Sequence, residues 1–225
     1  MALEMRCVLV LRPEPGASAT LKRARELGLN ARSVPLFKIE PVDWKVPVPA
    51  RFDGLLLTSA NAIRQGGAQL RELRLLPAYA VGETTAEAAR GAGLDIAATG
   101  NSGVDHLLRL IDADLKLLHL CGEDRCAPQQ SRQQITPLVV YRSAEVDAPD
   151  LSGTNGSVAL IHSPRAGRRF AELVSDRSEI AIAAISAVAA EAVGGGWQEV
   201  SVAEEPADEA LLALAACLCN NPHPK

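Results

Sequence analysis

A repeat held in one register constrains this chain more than any single motif does. Leu56-Leu57-Thr58-Ser59-Ala60-Asn61-Ala62 matches Leu160-Ile161-His162-Ser163-Pro164-Arg165-Ala166, an offset of 163 − 59 = 104 residues. The same offset aligns Ala80-Val81-Gly82 with Ala184-Ile185-Ser186, Ala86-Glu87-Ala88 with Ala190-Glu191-Ala192, and Leu107-Leu108-Arg109-Leu110 with Leu211-Leu212-Ala213-Leu214. Any two β-α-β stretches look loosely alike, but generic patterning would not keep one register through three consecutive units. The chain therefore reads as two structurally equivalent lobes, and 225 residues suit two small domains better than one large one.

Short β-rich runs alternate with helix-period segments from end to end, the pattern of parallel sheets with crossover helices. The fold class is α/β, with two similar doubly wound parallel-sheet lobes. The first unit is a strand at Cys7–Leu11, a turn at Arg12–Gly16, a helix to Leu27, a Gly28 cap and a strand ending near Pro35. It has no repeat partner unless it completes the sheet of the C-terminal strands. Lobe 1 is accordingly discontinuous, 1–35 plus 143–225, and lobe 2, 38–138, is inserted in it. Two extended linkers, about 34–49 and 135–146, are expected to pair antiparallel through Phe37-Lys38-Ile39 and Val139-Val140-Tyr141 and to serve as a hinge. A helix is also expected between the strand at 116–120 and the second linker. Aromatic residues are only 3% of the chain, so the cores must be built from Leu, Val, Ile and Ala.

Charge and motifs exclude several functions. A net charge of −4 lacks the cationic excess that coating nucleic acid requires. The amino terminus has no signal-peptide h-region, and no apolar run approaches the roughly 20 residues that span a bilayer. Five cysteines, Cys7, Cys121, Cys126, Cys217 and Cys219, match no zinc or redox spacing and read as reduced cytosolic thiols. Histidines 106, 119, 162 and 223 form no i, i+4 pair, so neither metal nor cofactor is expected. Arg12-Pro13-Glu14-Pro15-Gly16 stands where a dinucleotide fingerprint would, no phosphate-binding P-loop occurs, and Gly194-Gly195-Gly196 follows a helix and reads as its cap.

In a doubly wound sheet, ligands lie beyond the carboxyl ends of the strands, where helix amino termini present free N–H groups. Thr58-Ser59 and His162-Ser163 stand there, as do Thr84 and Thr85 after Gly82. Each serine is equally a good helix N-cap, but matched turns in both lobes would offer N–H and hydroxyl donors to an anion. Arg12, Arg125, Arg142, Arg165 and Arg168 lie near strand ends, and arginine binds carboxylates bidentately. Tyr141 lies in the returning linker; its phenol can pack with a satisfied hydroxyl or donate a proton at neutral pH.

Taken together, Arg12-Pro13, Leu57-Thr58-Ser59-Ala60-Asn61-Ala62, Val81-Gly82-Glu83-Thr84-Thr85-Ala86, Val139-Val140-Tyr141 and His162-Ser163-Pro164 resemble the uroporphyrinogen-III synthase family in order and spacing over nearly the whole chain. The resemblance implies the interleaved two-lobe fold and a cofactor-free, cytoplasmic, monomeric enzyme acting on a small molecule. It further implies the reaction: cyclisation of hydroxymethylbilane with inversion of the terminal pyrrole ring. Tyr141 matches the family's linker tyrosine, a candidate general acid for hydroxyl departure. Thr58, Ser59, Gly82, Thr84, Thr85 and Ser163 match cleft-lining positions, and Arg12 and Arg125 would meet substrate carboxylates. Where family members commonly carry a Gly-Pro-Thr-Thr type turn, this chain has Ile185-Ser186-Ala187-Val188, leaving Ser186 as the hydroxyl there. A competing reading is a catalytically inactive two-lobed small-anion binding or sensor module. A sugar or nucleotide transferase would need acidic or phosphate-loop residues that the sequence does not contain.

Overall fold

The structure, a computed structural model, describes residues 6–125, 127–129 and 131–220; Cys126 and His223 lie outside them. In chain order the elements are β1 (Val8–Val10), α1 (Gly16–Glu26), β2 (Ala31–Ser33), β3 (Phe37–Pro41), β4 (Gly54–Leu57), α2 (Ala60–Gln65), β5 (Ala78–Val81), α3 (Glu83–Gly91), β6 (Ile96–Gly100) and α4 (Val104–Leu110). They continue as β7 (Lys116–Gly122), β8 (Gln134–Glu145), β9 (Val158–Ile161), α5 (Pro164–Leu173), β10 (Ala181–Ala184), α6 (Ala187–Ala192), β11 (Glu199–Val202) and α7 (Asp208–Asn220). Two compact units result, Met1–Lys38 with Glu145–Lys225, and Ile39–Ala144.

The discontinuous unit holds a five-stranded sheet in the order β11-β10-β9-β1-β2, all of whose pairings are parallel. Its central strands are apolar at every position because both faces are covered, as parallel sheets require. Alternate residues feed opposite cores. Leu9, Ala159, Ile161, Ile182 and Ala184 pack under α5 and α6, where Phe170 stacks on Trp197 at 5.3 Å between ring centroids. Val8, Val10, Val158, Leu160, Ala181 and Ala183 pack under α1 and α7 against Ala17, Ala24, Leu211, Leu212, Ala215 and Leu218. Helix ends follow the local sequence: Ser163 caps α5 with Pro164 at its first position, and Gly194 takes φ 66° just past α6.

The continuous unit repeats this plan with one strand more, in the order β3-β8-β7-β4-β5-β6. The pairings among β4 to β8 are parallel. β3 and β8 run antiparallel, since Val42 N–H bonds Val140 O while Val146 N–H bonds Leu36 O, and 42 + 140 equals 36 + 146. One face of this sheet meets α2 and α3 through Leu55, Leu57, Ala78, Ala80, Leu118 and Leu120. The other is covered more thinly, by Leu107 and Leu108 of α4 over Leu56 and Leu117.

The helix expected between β7 and β8 does not form: among the described residues 123–133 there is no helical segment. Glu-Asp-Arg at 123–125, Pro128 and the run of polar residues to Gln133 supply no apolar stripe to bury. Gln133 instead reaches inward, donating from Nε2 to the carbonyls of Leu108 and Asp112 at 2.8 Å each, and so closes the end of α4.

Candidate active site at the strand ends of each unit

In both sheets the chain winds outward in two directions from one central pair of strands, β4 and β7 in the continuous unit and β9 and β1 in the discontinuous one. Such a switch point leaves a crevice beyond the carboxyl ends of the two strands. Each crevice is edged by a histidine.

In the continuous unit, Thr58 follows β4 and its Oγ1 lies 2.9 Å from Nε2 of His119 on β7. His119 is 2% exposed, between the buried Leu117, Leu118, Leu120 and Cys121 of the same strand. Burial, reinforced by the positive charge of Arg125, lowers its pKa to about 4, so the ring is neutral at physiological pH. Arg125 is exposed, three residues past the end of β7. The β7–β8 register shifts between Cys121 and Gly122, placing Gly122 opposite Tyr141. The Tyr141 ring fills the space a side chain at 122 would take, for a Cβ there would lie 2.7 Å from Cζ and 3.0 Å from the hydroxyl oxygen. The ring is half-buried against the core, and among the described residues its hydroxyl has no hydrogen-bond partner.

The turns divide by what their hydroxyls already do. Ser59, Ser163 and Ser186 each accept a backbone N–H at the start of α2, α5 and α6, from Asn61, Ala166 and Ala189 respectively. Capping occupies only a lone pair, and each O–H remains able to donate. Gly82, at φ 81°, opens α3 with no side-chain cap, and Thr84 beside it is exposed. Thr85 differs from the sequence expectation: at 5% exposure it is packed inward with Ala86 and Ala89, because α3 turns that face to the sheet.

The discontinuous unit gathers a charged network that sequence reasoning captured only in part. Asp208, the first residue of α7, accepts from His162 Nε2 and Thr20 Oγ1 at 2.9 Å on one oxygen and from Arg23 at 2.8 Å on the other, with Arg12 Nη1 at 3.5 Å. Burial alone would raise the Asp208 pKa, but the hydrogen bonds from His162, Thr20 and Arg23 outweigh it and hold the carboxyl below its ordinary range. Burial, with the Arg12 charge acting in the same sense, lowers that of His162 against the pull of Asp208. The pair is therefore a neutral imidazole donating Nε2–H to a carboxylate. Neither His119 nor Asp208 was singled out from sequence. The one signal for His119 was a lone polar residue inside Leu117-Leu118-His119-Leu120; for Asp208 there was only an acid opening the last helix. Of the remaining basic candidates, Arg165 lies over the Phe37 ring at 4.4 Å and Arg142 pairs with Glu40 at 3.1 Å.

A sequence model of the family described as uroporphyrinogen-III synthase HemD matches residues 18–213, which takes in the elements of both units from α1 to α7. The chain belongs to the uroporphyrinogen-III synthase family. A uroporphyrinogen-III synthase of Chlorobaculum parvum is 30% identical over 101 residues, 41% of this chain and 41% of that protein, so the chain spans about two fifths of that relative's length. The crystal structure of uroporphyrinogen-III synthetase from Helicobacter pylori is similar over 95% of this chain and 99% of that one, with a TM-score of 0.69 at 19% identity. At that identity the likeness establishes the fold, two-lobed and α/β. Among the described residues no helix is long and apolar enough to cross a membrane.

Proposed function

We propose that this chain is an active uroporphyrinogen-III synthase, closing hydroxymethylbilane to uroporphyrinogen III with inversion of the terminal pyrrole ring and release of water. The observation that carries the proposal is the family match extending through both repeats, where a domain borrowed for another purpose would need only one. In this reading the lobes are 1–35 plus 143–225 and 38–138, hinged at the paired linkers about 34–49 and 135–146. Two compact units with nearly the same limits support that division. The enzyme works in the cytoplasm as a monomer, binds a small molecule rather than nucleic acid or membrane, and uses no metal or organic cofactor.

The substrate brings eight carboxylates. Arg12 and Arg125 receive some of them as charge-assisted pairs. The uncapped start of α3 after Gly82, with Thr84 and the O–H groups of Ser59, Ser163 and Ser186, offers further donors. Tyr141 protonates the departing hydroxyl, so the carbon–oxygen bond breaks and water leaves. The substituted carbon of the far ring then attacks the azafulvene methylene, a spiro intermediate rearranges, and the proton lost on closure restores the phenol. Much of the rate comes from holding the ends of a flexible chain in one geometry.

A coupled assay tests this: hydroxymethylbilane is generated enzymatically, the protein is added, and the oxidised type I and type III porphyrins are separated by chromatography. Predominant type III is expected. Type I alone, with folded protein, would refute synthase activity and favour an inactive anion-binding module.

A further inference from the structure

Arg12 leaves the sheet at the end of β1 and turns back over the first residue of α1. Its guanidinium lies against Gly16 so closely that a Cβ at position 16 would come within 2.7 Å of Cζ and 2.8 Å of Nη2. On the other side, Nη1 faces the Thr20 hydroxyl at 3.4 Å and Asp208 at 3.5 Å, both long for hydrogen bonds. Asp208 takes its short bonds from His162, Thr20 and Arg23 instead. The carboxylate therefore fixes where the cation rests without using up its donors, and the Arg12 side chain remains 34% exposed. Gly16 is not needed for its backbone: it is absent from the glycines with positive φ and begins an 11-residue helix, where alanine is the better helix former.

We propose that Gly16 is a positioning residue whose missing side chain provides the seat for Arg12, and that the seated Arg12 receives a carboxylate of a polycarboxylate tetrapyrrole. This rests on the proposed function for the identity of the ligand. Alanine at 16 fills the seat and pushes the guanidinium off Asp208 while leaving the fold intact. A helical glycine kept for structure alone would behave differently, since its replacement by alanine would affect stability and not binding.

The test is a double-mutant cycle on the full chain: wild type, Gly16→Ala, Arg12→Ala and the double variant, each titrated with uroporphyrin III by fluorescence. Gly16→Ala is expected to melt no lower than wild type and to weaken binding by about tenfold to hundredfold, the size of one lost hydrogen bond to a charged group. In the Arg12→Ala background the same substitution should change Kd less than about twofold, because the two changes remove one interaction. Unchanged binding in either single variant, or a Gly16→Ala effect that persists without Arg12, overturns the proposal. Type III formation by the same wild-type preparation is scored separately. Its absence with the cycle intact defeats the synthase reading and spares the seat; its presence with an additive cycle does the reverse.

Discussion

His119 makes the continuous unit sensitive to mild acid, and the size of the effect can be worked from its surroundings. The imidazole is 2% exposed, bonded to Thr58 and neighboured by the Arg125 charge, and its pKa falls from an ordinary 6.5 to about 4. Between those values the unfolded chain binds a proton that the folded chain refuses. Stability therefore falls as pH drops through that window, is level above it and levels again below it. Two and a half units at about 1.36 kcal/mol each give about 3 kcal/mol, a shift of more than about a hundredfold in the folding equilibrium. The perturbation is His119→Gln, which keeps a polar partner for Thr58 and cannot titrate. Urea unfolding is followed from pH 7 to pH 4 in a Trp197→Phe background, so that Trp44, in the core of the same unit, reports alone. Groups titrating elsewhere cancel in the difference between the two curves. Wild type should lose about 3 kcal/mol more than the variant over this range. Parallel curves would mean that the buried ring accepts its proton without cost, and the argument from burial would be wrong. Arg125→Gln, which removes the neighbouring charge, should raise the His119 pKa and narrow the window.

Gly122→Ala, whose Cβ would come within 2.7 Å of the Tyr141 ring, should displace the phenol and cut kcat at least as much as Tyr141→Phe, which leaves the ring seated. With proton donation worth roughly a hundredfold or more, both should fall about that far in single-turnover formation of type III product, and a Tyr141→Phe rate equal to wild type would remove the general acid. Phe170→Ala empties a fully buried site beneath Trp197 and should cost about 3 to 5 kcal/mol of the discontinuous unit's stability, read from the Trp197 signal in denaturant.

The fold was legible because the repeat is carried by elements whose burial is uniform. Helices α2, α3 and α4 begin at Ala60, Glu83 and Val104, and α5, α6 and α7 at Pro164, Ala187 and Asp208, each pair 104 apart. Strands β4 and β9 keep that offset at both ends. An apolar period survives in sequence because it is written locally. The helix expected after β7 failed for the complementary reason, since residues 123–133 contain no apolar period and the expectation came only from extending the pattern. The site was harder to read. Thr58 and His119 are 61 positions apart and Thr20 and Asp208 are 188 apart; only the order of strands in each sheet brings them together. The capping serines were visible because caps are local, whereas Thr85 went inward because the face of α3 that meets the sheet depends on how the helix is rolled.

The placement of β1 has a consequence for how the chain is made. β1 lies between β9 and β2, so residues 8–10 cannot gain their second neighbour until residues 158–161 have been synthesised. At bacterial or eukaryotic elongation rates that interval is on the order of ten seconds, long enough for the intervening unit, whose strands lie within residues 39–144 apart from the ends of β3 and β8, to fold first. The emerging polypeptide thus carries a finished domain flanked by an amino-terminal β-α-β fragment with one apolar strand edge open. That edge is the point at which a chaperone would be needed and at which a stalled or truncated chain would begin to aggregate.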